Sequence, residues 1–217
     1  MDPKDFFDHT LLKPDTDASG ITKLCSEAKE HRLKAVCVPR DFVAQAKTEL
    51  IGSSVLVATV IGFPEGNHPT ATKVEETQDA VRNGADELDM VQNYSKIKEK
   101  SYQTVFEDIK AVVGAAQGRC VKVILETSEL TTEEIISSSA IAMAAGADFV
   151  KTSTGFSSSG AKKEDIAVMR SVVGPKKGVK ASGGIRDAAT FLEMVEAGAN
   201  RIGASASLSI IEELNQR

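Results

Sequence analysis

Gly146-Ala147-Asp148-Phe149-Val150-Lys151-Thr152-Ser153-Thr154-Gly155 is the stretch that decides the fold. A glycine suited to the left-handed position after a helix is followed by an apolar run and then a polar turn. That is how a helix hands over to a buried strand. The opening triplet recurs: Gly84-Ala85-Asp86 and Gly198-Ala199-Asn200 precede comparable runs, and Arg32-Leu33-Lys34 is a looser fourth copy. Five residues beyond the glycines lie Asp89, Lys151 and Gly203, with Cys37 at the matching place in the loose copy.

Outward from these triplets, short β-branched runs alternate with amphipathic stretches along the whole chain. The sequence predicts strands at Phe7–Leu11, Ala35–Val38, Val55–Gly62, Glu87–Gln92, Cys120–Glu126, Phe149–Thr154, Gly178–Ser182 and Arg201–Ala204. Helices are expected at Ser19–His31, Asp41–Leu50, Thr70–Asn83, Ser101–Ala116, Thr131–Ala145, Lys162–Val172, Asp187–Glu196 and Ser205–Leu214. Thr131-Thr132-Glu133-Glu134 and Asp187 read as helix starts. Strict βα order predicts a parallel sheet with right-handed crossovers. Eight units favour a closed (β/α)8 barrel, a TIM barrel of α/β class, formed by one domain over residues 1–217. An open doubly wound sheet competes, but no Gly-x-Gly-x-x-Gly follows the first strand.

Alternate strands of such a barrel share an interior layer, so Asp89, Lys151, Gly203 and Cys37 are expected to lie together. Side-chain alternation also turns Asp8, Thr10, Glu87, Lys122, Ile124, Glu126, Ser153, Lys180 and Ser182 inward, and Leu88 and Met90 toward the helices. Unpaired buried charges are strongly destabilising, so this interior reads as a reaction chamber. A desolvated lysine near a second cation is a nucleophile suited to imine formation. Lys151 fits that role, Lys180 on the next strand fits the companion cation, and Asp89 fits the acid/base. The alternative for all three is a purely structural ion-pair network.

Ser182-Gly183-Gly184 and Gly203-Ala204-Ser205 end strands seven and eight, the two loops that commonly build phosphate sites in these barrels. Gly62-Phe63-Pro64-Glu65-Gly66 is expected to be a third loop at the same mouth. Cys37 has no histidine placed to activate it and reads as a small buried apolar residue. His9, His31 and His68 show no metal-ligand spacing, so no metal or other cofactor is expected.

The bulk composition narrows the class. A net charge of −5, with no massed lysines, argues against nucleic acid as a partner. No apolar run approaches a membrane span and the N-terminus has no signal-peptide pattern, so no membrane is expected. Three scattered cysteines are too few for a disulfide framework. The reading is a reduced, soluble, cytoplasmic protein whose outer helix faces permit a homodimer without demanding one.

Taken together, Asp8-His9-Thr10-Leu11-Leu12-Lys13-Pro14, Gly62-Phe63-Pro64, Gly84 through Val91, Phe149 through Phe156, and Val179-Lys180-Ala181-Ser182-Gly183-Gly184 resemble the motifs of the class I, Schiff-base deoxyribose-phosphate aldolases. The resemblance runs nearly end to end. It implies a (β/α)8 barrel and reversible cleavage of the small sugar phosphate 2-deoxy-D-ribose 5-phosphate to D-glyceraldehyde 3-phosphate and acetaldehyde, without a metal. By motif it makes Lys151 the imine-forming lysine, Lys180 the companion that lowers its pKa, and Asp89 the proton-transfer group. It sets Asp8 beside Lys180, puts Thr10 and Thr154 near the sugar, and rests the phosphate on Gly155, Gly183, Gly184, Gly203 and Ser205, with Ser182 opening the seventh-strand loop. Two departures bear on phosphate affinity and proton transfer. Ser205 is followed by Ala206 where many members have a second serine, and the tyrosines stand at Tyr94 and Tyr102 rather than in a terminal tail. Two readings compete: a Schiff-base aldolase for another phosphorylated aldehyde, and a barrel that binds a sugar phosphate without turning it over. A metal-assisted isomerase or class II aldolase lacks a ligand cluster.

Overall fold

A computed structural model describes residues 2–216. Its strands are β1 (Phe7–Thr10), β2 (Ala35–Val38), β3 (Leu56–Ile61), β4 (Glu87–Val91), β5 (Cys120–Ile124), β6 (Phe149–Lys151), β7 (Gly178–Ser182) and β8 (Arg201–Ala204). All pair in parallel, each with the next, and β8 returns to β1 to close the barrel. The helices are α1 (Ala18–His31), α2 (Val43–Glu49), α3 (Thr70–Arg82), α4 (Tyr94–Lys98), α5 (Tyr102–Ala115), α6 (Thr132–Ala144), α7 (Lys163–Val173), α8 (Ala188–Glu196) and α9 (Ser207–Asn215). The barrel expected from the alternation is present. The short α4, in the connection after β4, is an addition that the sequence pattern did not predict.

The repeated triplets have a structural reason. Gly84, Gly146 and Gly198 take φ of 99°, 96° and 117°, the left-handed region where a side chain would be strained. Two residues later, a short polar side chain clamps the start of the preceding strand. Asp86 Oδ2 accepts from Val57 N at 2.9 Å, Asp148 Oδ2 from Val121 N at 3.0 Å, and Asn200 Oδ1 from Val179 N at 2.9 Å. The loose copy keeps the backbone but not the clamp: Arg32 is left-handed at φ 54°, and Lys34 has no side-chain acceptor to offer.

The helix starts follow the sequence signals. Thr131 and Glu134 form a reciprocal capping box, and Asp187 accepts from Thr190 N at 2.7 Å. Several strands stop short of their predicted ends, β6 at Lys151 rather than Thr154. There the backbone ladder gives way to side-chain bonds: Thr152 Oγ1 donates to Ser182 O and accepts from Ser182 N, each at 3.0 Å.

The main apolar core lies between the outside of the barrel and the helices. Leu88 and Met90 of β4 and Val121 and Val123 of β5 pack there with Ile109 and Val112 of α5 and Ala80 of α3. Truncating one of the larger of these to alanine should cost about 2–5 kcal/mol. Inside the barrel the apolar content shrinks to a small cluster of Cys37, Ala58 and Val60, edged by Leu12 and Phe63. The centre of the interior is charged, with Phe149 of β6 and Ile124 of β5 beside it in register with Lys122 and Lys151. Among the described residues no helix is long and apolar enough to cross a membrane.

Candidate active site

Strand register brings the charged side chains together. Asp89 pairs with Lys122 across β4 and β5, Lys151 with Lys180 across β6 and β7, and Lys180 with Arg201 across β7 and β8. Residues paired in this way point to the same side of the sheet, here the inside.

Asp89 is the centre of the network. Its Oδ1 accepts from Lys122 Nζ at 2.7 Å, and its Oδ2 accepts from Lys151 Nζ at 2.8 Å and from Lys180 Nζ at 2.7 Å. Lys180 also donates to Asp8 Oδ2. Lys122 also lies 2.7 Å from Glu87 Oε2 and 3.7 Å from Asp8 Oδ2. Arg201 Nη1 donates to Asp8 Oδ1 at 2.5 Å, and both its terminal nitrogens hold Glu87, at 2.8 and 3.0 Å. Every one of these side chains is buried.

The connected network therefore holds three carboxylates and four basic groups. Fully protonated, it carries one positive charge in excess inside a low-dielectric barrel, where excess charge is costly. Neutralising one base balances it. Lys151 has a single carboxylate contact, whereas Lys122, Lys180 and Arg201 each reach two or more. The pKa directions follow that difference. Burial, then the Lys180 cation, hold the Lys151 ammonium below the usual lysine value in spite of Asp89. Lys180 and Lys122 go the other way, because their carboxylates outweigh burial. Asp89 is desolvated, yet the three lysines around it keep its carboxyl well below the usual range, and Asp8 is lowered in the same way by Lys180, Lys122 and Arg201.

Above the network, at the C-terminal ends of the strands, a cavity of about 370 Å³ opens to solvent. Lys151 lies at its edge, with Thr10, Thr154, Gly155, Ser182, Gly183, Gly184, Gly203 and Ser205 among the lining residues. The structure thus brings Lys151, Lys180, Asp89 and Asp8 into direct contact and sets the other site residues named from sequence around one opening. Gly203 also makes room for the network: a Cβ there would lie 3.0 Å from Lys180 Cε. At Gly183, the chain of the β6–α7 loop passes so close that a Cβ on Gly160 would fall 2.0 Å from Gly183 O. Ser205 precedes α9, whose N-cap is Ala206 and whose first turn has no side-chain cap.

Cys37 is buried inside the barrel, and burial pushes its thiol up to about 11, consistent with an inert small residue. His9 faces α1, with Nε2 2.9 Å from Glu27 Oε2. Three features escaped the sequence reading. Arg201 is an interior cation. Glu126 is left-handed at φ 58° and accepts a hydrogen bond from Thr154 Oγ1. Phe156 stacks edge-on against Phe63 at the mouth, with ring centroids 5.3 Å apart. Arg201 was readable in principle, since it lies two residues before inward-facing Gly203.

A closed parallel barrel with a buried, charge-balanced lysine network beneath a mouth cavity defines a (β/α)8-barrel enzyme. A family model described as DeoC/LacD family aldolase matches residues 6–210. The deoxyribose-phosphate aldolase of Coprothermobacter proteolyticus is 56% identical over 214 residues, covering 99% of this chain and 98% of that one. Among solved structures, an aldolase designated QR15 superposes with a TM-score of 0.95 at 41% identity, covering 100% of this chain and 97% of that one. The deoxyribose phosphate aldolase from Aeropyrum pernix, described as a tetramer, superposes with a TM-score of 0.91 at 30% identity, covering 98% and 92%. The chain belongs to the DeoC/LacD aldolase family. It is a lyase.

Proposed function

We propose that this chain cleaves 2-deoxy-D-ribose 5-phosphate reversibly to D-glyceraldehyde 3-phosphate and acetaldehyde through an imine on Lys151. The observation that carries the reading is the charge balance of the buried network, in which Lys151 is the base best placed to give up its proton. The printed names of the similar proteins support the substrate.

Neutral Lys151 attacks C1 of the open-chain sugar phosphate, and loss of water leaves an iminium. The iminium is an electron sink, so the C2–C3 bond breaks as the C3 hydroxyl gives up its proton and leaves as the aldehyde of glyceraldehyde 3-phosphate. The enamine is then protonated at C2, and hydrolysis frees acetaldehyde and the amine. Lys180 keeps Lys151 deprotonated by its charge. Asp89, ionised and in contact with both lysines, serves as the proton-transfer group through a water, with the Lys180 ammonium as the standing proton donor behind it.

The phosphate rests on the loops after β7 and β8 and on Gly155. The uncapped first turn of α9 offers backbone N–H groups and the positive end of a helix dipole to an anion. Phosphate held at a distance from the reacting bond supplies binding energy for orientation. The three free cysteines fit a reducing cytoplasm.

Borohydride reduction in the presence of acetaldehyde, followed by peptide mass spectrometry, tests the imine. The expected product is an ethyl group on Lys151. Absence of any adduct, with activity removed by chelators instead, would overturn the reading.

A further inference from the structure

Gly160, in the β6–α7 loop, is a glycine that its conformation does not explain. It is not among the left-handed glycines, which include Gly155, Gly183 and Gly184, so its φ is not one that only glycine favours. Space explains it instead. A Cβ there would collide with the carbonyl carbon and oxygen of Gly183 and lie 2.9 Å from Gly184 N, all of them backbone atoms that cannot swing aside. From the other side, a Cβ on Gly183 would lie 2.9 Å from Gly160 Cα. The two loops meet backbone against backbone, and glycine at both places allows it.

That approach carries a hydrogen bond: Ala161 N donates to Gly183 O at 3.0 Å. The residue before is held from the same side. Thr152 Oγ1 bonds both Ser182 O and Ser182 N at 3.0 Å, and Ser182 Oγ donates to Ser153 O at 2.6 Å. The turn after β7 is thus gripped by the segment that begins one residue beyond Lys151. Gly183 and Gly184, at φ 87° and 78°, carry no side chains, so little steric cost stops the peptide between them from turning over. In a trans peptide the C=O of one residue and the N–H of the next point in opposite directions. Holding Gly183 O on Ala161 N therefore turns Gly184 N–H away from the β6–α7 loop. Both glycines line the mouth cavity.

We propose that Gly160 and Ala161 are positioning residues for the substrate phosphate, locking the Gly183–Gly184 peptide so that it presents its N–H, and not its carbonyl oxygen, to the anion. This rests on the function proposed above. Backbone N–H groups attract an anion, and the same peptide turned over would set a carbonyl dipole against it. The glycine pair gives close approach to the phosphate, and the neighbouring loop gives the rigidity that the pair lacks. Because the grip belongs to the segment that follows Lys151, one continuous stretch of chain sets the span between the imine and the phosphate.

Gly160→Ala separates this role from a structural one. Cleavage of deoxyribose 5-phosphate uses the phosphate site. Exchange of the acetaldehyde methyl hydrogens with deuterated water needs only the imine and the enamine. We expect KM for deoxyribose 5-phosphate and the inhibition constant of inorganic phosphate each to rise by at least about tenfold, the scale of one lost hydrogen bond to a charged group. Exchange should run at the parent rate, as should cleavage of unphosphorylated deoxyribose. Ala161→Pro, which removes the donor and places no group on Gly183, should show the same split and carries the test alone if Gly160→Ala does not fold. Parent-like KM and phosphate inhibition in either folded variant would overturn the proposal. So would an equal fall in exchange and cleavage, which would mark a structural role. Failure of the parent protein to trap acetaldehyde on Lys151 would instead strike the function on which the inference rests.

Discussion

Lys151 and Lys180 donate to the same oxygen, Oδ2 of Asp89, at 2.8 and 2.7 Å. Two ammonium groups sharing one acceptor repel each other at close range in a medium where that repulsion is weakly screened. Lys180 has Asp8 as a second partner and Lys151 has none, so of the two it is Lys151 whose ammonium is held below the usual lysine value. The asymmetry lies in the neighbours rather than in the two lysines themselves.

Replacing Lys180 with leucine removes a cation that lowers the Lys151 pKa. With the repulsion gone and Asp89 still present, Lys151 should hold its proton to higher pH. The pH profile of borohydride trapping should move to more alkaline values, and kcat near neutrality should drop by at least about tenfold, the cost of one pKa step. A profile that stays where it is would remove Lys180 from its role.

Lys151→Met should abolish turnover yet leave the fold as stable as the parent or more so. The variant network holds three carboxylates and three cations, and Asp89 keeps Lys122 and Lys180. The sign follows from linkage. The folded value of Lys151 lies below its unfolded value, so between the two the unfolded chain binds more protons and this group's contribution to stability rises with pH. Urea unfolding across alkaline pH should show that slope in the parent and lose it in the variant.

The sequence revealed the barrel because its message is local: a turn glycine, an apolar run and a helix start, repeated. The meeting of Asp89 and Lys151 was legible because layer geometry converts a shared offset from the Gly-Ala-Asp triplets into proximity. Arg201 was overlooked as the charged flank of a short strand, although alternation back from Gly203 turns it inward. Lys73 could not be foreseen. On a helix pattern it looks like surface, but it is buried, with Nζ 2.6 Å from Asp108 Oδ2 of α5 and 2.9 Å from Val91 O of β4. Glu126 was read as inward without its partner, since nothing in Leu125-Glu126-Thr127 signals a left-handed residue.

Gly203→Ala probes the space that Lys180 needs. The new methyl would lie 3.0 Å from Lys180 Cε and 3.1 Å from Ser182 Cβ, closer than side chains pack. Lys180 must shift, and with it the contacts to Asp8 and Asp89. A shift of a few tenths of an ångström should lower kcat, by less than the roughly 100-fold that a full ångström can cost. The overpacking should cost about 1–3 kcal/mol in denaturant unfolding. Parent-like kcat would show that the network tolerates the displacement.

Arg201→Met tests the floor of the network. Arg201 holds Glu87 with two nitrogens and Asp8 with one, and its guanidinium carbon lies 5.5 Å from the Phe149 ring centroid. Removing it leaves three carboxylates facing three lysines, and balance then requires Lys151 to keep its proton. Two penalties follow together: about 3–5 kcal/mol of stability lost from a broken buried pair, and a trapping profile moved toward alkaline pH, although Arg201 does not touch Lys151. The acid limb should change as well. Asp8 and Asp89 have folded values below their unfolded ones, so they add stability above about pH 4 that is lost as pH falls toward the folded values. Arg201 is one of the cations that hold Asp8 down. Without it the Asp8 value rises toward the unfolded one, its contribution shrinks, and acid unfolding should begin at higher pH. Circular dichroism against pH, run beside the trapping assay on one preparation, reads both effects. A stability loss without the alkaline shift would show that Lys151 answers only to its immediate neighbours rather than to the charge of the whole network.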